Sequence, residues 1–471
     1  MTPSVRRRVA FNTAVQVAGK GVVLVIAAGS IAVLTRYLGP GDYGRFTLAL
    51  MYMQLFGVLA DIGLLTTVVR EISKQPDRTE ELVGNALTLR LLLSLVVIVV
   101  ASAVSLLLPY AHNVRVAIVL AGGPLLLGML NTSLVAVFQA RLRMGRAMVA
   151  EVVGRAAGFG LTVAVAALDL GFYAVMGAAA GAALVTLLIT WFLSRDLVRV
   201  RFLADRAVWR PLLVASLPLG LALAINELYF RADTLIISLS RSYKDVGLYT
   251  LAYRILEFTL AMGTVFLTSV FPVLSSRMAR GGPAVTRTIQ STFDFFVIIA
   301  VPLAAGGAIA APALIDLAGG PRFSDAATPL QILLAGGGLA WINGVFGYAL
   351  IAKERQLNAL WLNVLGLTVN VGLNVALVPH YGIVAAAVIT VFSELVILAG
   401  SYYLMQRHFE FFPRLSLLAP ALLAAAVMAA ALWPLRDTSF FLLVPVGVAV
   451  YGGLLLAISP ASRAALAGIR E

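Results

Sequence analysis

Fourteen apolar stretches, each near the length of a bilayer-crossing helix, dominate this 471-residue chain. They run at approximately 11–34, 46–67, 85–108, 116–140, 149–168, 172–193, 211–238, 248–275, 288–317, 328–351, 359–378, 383–404, 416–433 and 440–459. A spanning helix needs about 20 apolar residues, so fourteen consume roughly 280–300 and leave the rest to connections and tails. Soluble domains carry roughly 25% charged residues; this chain has 12%, with 61% hydrophobic residues and a mean hydropathy of +0.96. The expected architecture is an all-α polytopic membrane protein with about 14 transmembrane helices. A folded soluble catalytic domain and a singly anchored chain are both excluded.

The absence of cysteine rules out a disulfide framework, a thiol nucleophile and a thiolate metal site. His112, His380 and His408 are too scattered to suggest a metal cluster, so neither metal nor cofactor is expected. The net charge of +13 does not point to nucleic acid, because the arginines recur in small groups between apolar runs. Arg6, Arg7 and Arg8 precede an apolar run reaching to about Leu34, too long for a cleavable signal core, so the chain is expected to open on a transmembrane helix. With the amino end inside, 23 Lys and Arg fall in inner segments and 7 in outer ones, while Lys20, Arg90, Arg155, Arg231 and Arg254 lie within spans. The inner groups include Arg70, Lys74 and Arg78; Arg141, Arg143 and Arg146; Arg277 and Arg280; Lys353 and Arg355; Arg407 and Arg414; and Arg463 and Arg470. That bias predicts both termini in the cytoplasm and an even number of spans.

An internal repeat shapes the organisation. Asp42-Tyr43-Gly44-Arg45-Phe46-Thr47-Leu48-Ala49 and Asp245-Val246-Gly247-Leu248-Tyr249-Thr250-Leu251-Ala252 both read D-x-G-x-[FY]-T-L-A. Asn131, Ala140, Arg141, Arg143 and Gly154 likewise align with Asn343, Ala352, Lys353, Arg355 and Gly366. A shared small alphabet explains apolar matches but not Asp, Gly and Thr in register. A repeat of six spans gives two lobes of the same orientation, with substrate expected between them near the midplane. The expected division is 1–203 for an N-lobe, 204–410 for a C-lobe and 411–471 for two extra C-terminal helices. Short turns, Leu168–Gly171 and Pro379–Gly382, split the fifth from the sixth span and the eleventh from the twelfth.

Polar residues within spans mark a pathway, because a charge at the bilayer centre costs about 2.5–3.5 kcal/mol on insertion scales. Asn12, Gln16 and Lys20 form one stripe at i, i+4, i+8 in span one. Span seven carries Asn226, Glu227, Arg231 and Asp233, with Glu227 and Arg231 in ion-pair order, and span eight carries Arg254 and Glu257. Gln54 and Asp61 share a face of span two, Asn363, Asn370 and Asn374 lie near one face of span eleven, and Glu394 sits mid-span twelve. Arg90, Arg155 and Glu151 are placed near cytoplasmic span ends, where snorkelling competes with a cavity role. Lys20, Arg231 and Arg254 are the expected functional cations. Such cations need an anion, which either protein carboxylates or the substrate supply.

Asn12, Gln16 and Lys20, then Leu34-Thr35-Arg36-Tyr37-Leu38-Gly39-Pro40-Gly41-Asp42-Tyr43-Gly44, Ala60-Asp61-Ile62-Gly63-Leu64, Arg70-Glu71-Ile72-Ser73-Lys74 and Arg90 carry a resemblance. This opening resembles the polysaccharide-transport branch of the multidrug/oligosaccharidyl-lipid/polysaccharide exporter superfamily, the Wzx-type flippases. The second half is weaker in motif but keeps Arg241, Asp245 and Gly247. The resemblance implies a non-enzymatic flippase in the cytoplasmic (inner) membrane. It would move an undecaprenyl-diphosphate-linked oligosaccharide from inner to outer leaflet by alternating access. It adds Asp61 and Arg90 to Lys20, Arg231 and Arg254 as cavity residues, and it implies a monomer with a polysaccharide polymerase as a candidate partner. A peptidoglycan-precursor flippase shares the span number and cationic cavity. A cation-coupled drug exporter typically has twelve spans and leans on carboxylates. A membrane polymerase or ligase would need a large outer loop and a reactive constellation; the outer segments here are short.

Overall fold

Long apolar runs can satisfy their backbone groups in lipid only as helices or closed barrels, and this chain takes the helical solution. A computed structural model describes residues 3–280 and 282–458. The side chains of Arg6, Arg7, Arg8, Asn12 and Arg280 lie outside the described residues, as do Arg463 and Arg470. In chain order the helices are α1 (Pro3–Asp61), α2 (Leu64–Lys74), α3 (Thr79–Leu107), α4 (His112–Ala140), α5 (Met144–Ala167), α6 (Phe172–Ser194), α7 (Arg206–Ser240), α8 (Tyr243–Arg280), α9 (Pro283–Gly319), α10 (Ala327–Ala352), α11 (Gln356–Phe409), α12 (Leu418–Leu432) and α13 (Phe440–Ile458). The described residues contain no β-strand.

Among the described residues, twelve helical stretches are long and apolar enough to cross a membrane. Helices α1 and α11 have 59 and 54 residues, which is roughly 80 Å or more against a bilayer core of about 30 Å. Each is broken at one glycine, and counting each as two segments recovers the fourteen apolar runs. Large apolar side chains such as Val25, Val99, Leu107, Val448 and Phe441 are exposed on these helices, as lipid-facing residues should be. The protein is a multi-pass membrane protein.

The connection expected at 35–45 is far tighter than the sequence suggests. Helix α1 continues on both sides of Gly39, whose φ of 67° and ψ of 174° break it in a region that only glycine enters without strain. Pro40 then takes the first position of the next helical segment, where its missing N–H loses nothing. Gly382 (φ 72°, ψ −157°) does the same inside α11. The second segment of α1 ends at a turn through Ile62 and Gly63, both at positive φ, so the span expected to reach residue 67 bends earlier and continues as α2.

Contacts divide the chain into two units, Met1–Arg231 and Ala232–Glu471, with the boundary inside α7. In the first, α2, α3, α4 and the start of α7 share a core containing Leu64, Val68, Leu87, Val137 and Leu212. Helices α5 and α6 meet through a small-residue seam: a Cβ at Gly154 would lie 1.8 Å from the Thr186 hydroxyl, and one at Gly158 would lie 2.8 Å from Ala182. In the second unit an aromatic core joins α8, α9 and α10 through Phe293, Phe296, Trp341 and Phe346. The C-terminal helices α12 and α13 pack on each other and on α9, where the Tyr451 hydroxyl donates to the Ile298 carbonyl at 2.8 Å.

The repeated motif has the same local role in each unit. Thr47 and Thr250 each return a hydrogen bond to the carbonyl four residues back, while Leu48, Ala49, Leu251 and Ala252 are fully buried. The turn preceding α6 is held by Tyr37, whose hydroxyl donates to Asp169 (3.1 Å) and accepts from the Gly171 N–H (2.7 Å). The turn inside α11 is held by Arg241, which donates to the Val378 carbonyl at 3.0 Å.

Candidate functional site

The four cations expected to bind substrate all carry protein carboxylates. Lys20 on α1 donates to both oxygens of Glu151 on α5, at 2.9 and 3.0 Å. Its side chain is 63% exposed, so it is not enclosed at its depth in the helix. Arg90 on α3 is fully buried and donates to Asp61 and, at 3.0 Å, to the Ser133 hydroxyl on α4. Snorkelling is thereby excluded for Arg90: its guanidinium is locked inside the helix packing, with Nε lacking an acceptor. Asp61 stands at the end of α1 beside the Ile62–Gly63 turn, which packs on Leu219 and Gly220 of α7. Two turns further along α7, Glu227 accepts from Arg231 at 3.1 Å, as their spacing predicts. Arg254 donates to Glu257 at 2.7 Å within α8.

Arg155 differs from the other four. It lies eleven residues from Met144 and twelve from Ala167, in the middle of α5 and not near its cytoplasmic end. It is exposed, and among the described residues it has no hydrogen-bonding or ionic partner. Its phase explains this. The lipid-facing stripe of α5 runs through Val149, Val153 and Val163, whereas Arg155 lies one turn beyond Glu151 on the side that meets α1. Phe159, one turn further, packs against Gly29 of α1. Lys20, Glu151 and Arg155 thus form an exposed cluster with net positive charge along the α1–α5 seam. In the sequence Glu151 and Arg155 stand out only as charges near a span end, with a snorkelling and a cavity role both open. Their signal is the i, i+4 spacing of opposite charges within an apolar run.

The remaining polar residues sort into exposed and enclosed. Gln16 is partly exposed and Asn226 is exposed. Asp233 is buried in the second unit, accepting from the Tyr249 hydroxyl and, at 2.7 Å, from the Thr234 N–H. Asn374 is fully enclosed and donates to the carbonyl and side-chain oxygens of buried Asn370 at 2.8 and 3.0 Å. Glu394, nearly buried, accepts from Asn343 at 2.7 Å and links α10 to α11. Asp233, Asn370, Asn374 and Glu394 all belong to internal networks, whose groups must be paired in a low-dielectric interior.

At some helix ends facing water, cations are also paired with carboxylates. Arg146 and Arg143 both bind Asp196, at 2.5 and 3.2 Å, and the hydrogen bond from Arg146 holds that carboxyl below its ordinary pKa. Arg78 donates to Glu81 at 2.7 Å and lowers the Glu81 pKa in the same way. Among the described residues no group of three or more His, Cys, Asp or Glu is arranged to hold a metal.

A family model described as polysaccharide biosynthesis protein matches residues 7–278, more than half of the chain. The chain belongs to this family. Among curated relatives it is similar to the probable flippase AglR of Haloferax volcanii, with 26% identity over 246 residues covering 49% of this chain and 51% of the relative. It is also similar to the probable low-salt glycan biosynthesis flippase Agl15 of the same organism, with 25% identity over 166 residues and 35% of each chain. The match spans about half the length of the first relative and about a third of the second. Among solved structures, the lipid II flippase MurJ in an inward closed conformation superposes with a TM-score of 0.77 at 11% identity, covering 94% of this chain and 98% of that one. An inward-facing multidrug resistance MATE family transporter of the MOP superfamily superposes with a TM-score of 0.61 at 16% identity, covering 81% and 94%. This member of the polysaccharide biosynthesis family therefore has a transporter fold, in agreement with the sequence resemblance.

Proposed function

We infer that this protein is a flippase for a lipid-linked oligosaccharide, not an enzyme, and that it works by alternating access. The substrate we assign is an undecaprenyl-diphosphate-linked oligosaccharide, taken from the inner to the outer leaflet of a bacterial cytoplasmic membrane, with both termini of the protein in the cytoplasm. The observation that carries the reading is the α1–α5 seam: a Lys20–Glu151 pair reached by solvent, with Arg155, which has no partner among the described residues, one turn along α5. Exposed charge within a membrane span needs a wet or ionic partner, and a diphosphate provides one through charge-assisted hydrogen bonds. Family membership and the names of the two Haloferax relatives support the same class of activity. In this reading Glu151, Glu227 and Glu257 hold Lys20, Arg231 and Arg254 until a diphosphate competes for them. Arg90, enclosed with Asp61, supports the fold around the path and does not touch the substrate.

Carboxylate partners matter because they neutralise the cations in an apolar surrounding without fixing them permanently. A cation released from its carboxylate by a phosphate regains an anionic partner, while the displaced carboxylate turns to water, which the partly exposed Glu151, Glu227 and Glu257 can reach. The two-unit organisation, N-lobe and C-lobe with two further helices, is the frame in which such an exchange is coupled to access. Deletion of the gene in its host is expected to accumulate lipid-linked glycan in the cytoplasmic leaflet. Accumulation in the outer leaflet would instead mark a polymerase or ligase and refute the flippase reading.

A further inference from the structure

A second cationic site lies away from Lys20, Arg90, Arg155, Arg231 and Arg254. The two limbs of α11 flank an open groove of about 480 Å³ lined by Arg355, Asn358, Trp361, Tyr403, Arg407 and His408, among others. Its apolar floor is set where Leu362 approaches Gly400: a Cβ there would come within 2.5 Å of the leucine. The Asn358 amide meets the His408 Nε2 at 3.0 Å, and Arg407 reaches the Tyr403 hydroxyl at 3.5 Å. Lys353 closes one side, donating to the His408 carbonyl and lying 4.5 Å above the Phe409 ring.

At some water-facing helix ends the cations have carboxylate partners, as Arg146 and Arg78 do; at others, as at Arg115 and Arg141, they donate to backbone carbonyls. Among the described residues, Arg355 and Arg407 have no carboxylate partner, and here two such guanidiniums line one groove. The His408 pKa lies below its ordinary value because of partial burial and the combined field of Arg355, Arg407 and Lys353. An unneutralised group of cations around a cavity is a place for an anion. The surroundings indicate which one. Trp361 is 68% exposed and Tyr403 57%. Leu365, one turn deeper than Trp361, is also exposed. Amphipathic aromatic rings at this level of a membrane helix sit among headgroups, with apolar side chains beyond them in the acyl region. The excess of Lys and Arg assigns this end to the cytoplasmic leaflet, where anionic lipids attract basic pockets between helices.

We propose that the limbs of α11 bind an anionic phospholipid of the cytoplasmic leaflet, with Arg355 and Arg407 on its phosphate and Trp361 and Leu365 along the start of an acyl chain. The lipid neutralises the pocket and fixes this end of the second unit in the headgroup layer. The ligand chemistry, a phosphate on a hydrophobic tail, is shared with an isoprenyl diphosphate, and a free phosphate offers the anion alone.

Native mass spectrometry of the full chain in detergent separates these sources, using dioleoyl phosphatidylglycerol, dioleoyl phosphatidylcholine, farnesyl diphosphate and inorganic phosphate as probes. One phosphatidylglycerol per chain is expected to be retained at least tenfold more tightly than phosphatidylcholine. The Arg355→Gln/Arg407→Gln variant should lose at least tenfold of that preference. Arg355→Lys/Arg407→Lys should keep part of it. Neither guanidinium makes an ion pair among the described residues, so the thermal midpoint of both variants should match the parent protein. Tryptophan quenching by brominated phosphatidylglycerol should fall in Trp361→Phe. Equal retention of the two phospholipids, or undiminished preference in the Gln variant, overturns the proposal. So does displacement of phosphatidylglycerol by equimolar farnesyl diphosphate or by inorganic phosphate, which would assign the pocket to a diphosphate lipid or to a simple anion.

Discussion

Replacing Asp61 by alanine strands the Arg90 guanidinium in a site with no exposure. Only the Ser133 hydroxyl remains as an acceptor, and Arg90 Nε has none even in the parent protein. Removing one partner of a buried ion pair destabilises by about 3–5 kcal/mol. At 1.36 kcal/mol per tenfold, that shifts the unfolding equilibrium by roughly 10²- to 10⁴-fold. Arg90→Met acts differently. It removes the group that cannot reach water and leaves Asp61, whose side chain is 24% exposed and can be hydrated. The expected loss is that of a hydrogen bond to a charged group, about 1.5–3 kcal/mol. The double variant Asp61→Leu/Arg90→Met removes both charges and should recover most of the stability lost in Asp61→Ala. Unfolding of the purified protein in mixed micelles, followed by helical circular dichroism against denaturant, measures all three. A loss in Arg90→Met as large as that in Asp61→Ala would refute the asymmetry. A loss below about 1 kcal/mol in Asp61→Ala would refute the claim that the pair is locked in the interior.

Gly154→Ala places a methyl 1.8 Å from the Thr186 hydroxyl and 3.2 Å from its Cα. Rotation of Thr186 relieves only the first contact, so an overpacking loss of about 1–3 kcal/mol is expected, with Thr186→Gly restoring part of it; an unchanged midpoint contradicts the α5–α6 seam. The chain lacks cysteine, so single cysteines at Arg78 and Lys244 can be labelled without background. Arg78→Cys is expected to react only from the cytoplasmic side and Lys244→Cys only from outside; same-sided labelling breaks the topology drawn from the Lys and Arg distribution.

The helical architecture was legible because apolar run length and the alternation of Lys and Arg are both imposed directly by the bilayer. The tightness of the α1 turn was less so. Arg36, Asp42 and Arg45 read as loop residues, yet Gly39 alone breaks the helix and the flanking polar groups are absorbed by local bonds, such as Arg45 to Asp42 at 2.5 Å. Among the ion pairs, Glu227–Arg231 and Arg254–Glu257 were readable because both partners share one helix face. Lys20–Glu151 and Arg90–Asp61 join different helices, and nothing local in the chain specifies which carboxylate a cation will meet. Arg155 was misplaced for a related reason. Its helix begins at Met144, before the apolar run does, so counting from the run's edge put a mid-helix residue near an end. The D-x-G-x-[FY]-T-L-A motif was visible as a repeat, but its role was not: its Thr, Leu and Ala are packing residues in both units.

The central claim is tested most directly in vesicles of defined lipid holding the purified protein and a fluorescent undecaprenyl-diphosphate oligosaccharide, with leaflet location followed by a membrane-impermeant quencher. The protein is expected to move the labelled lipid between leaflets. The Lys20→Ala/Arg231→Ala/Arg254→Ala variant, reconstituted in equal amount, is expected to lose most of that transfer, and Arg155→Ala to weaken it. Transfer by the triple variant at the parent rate, or none by the parent protein above protein-free vesicles, would contradict the account.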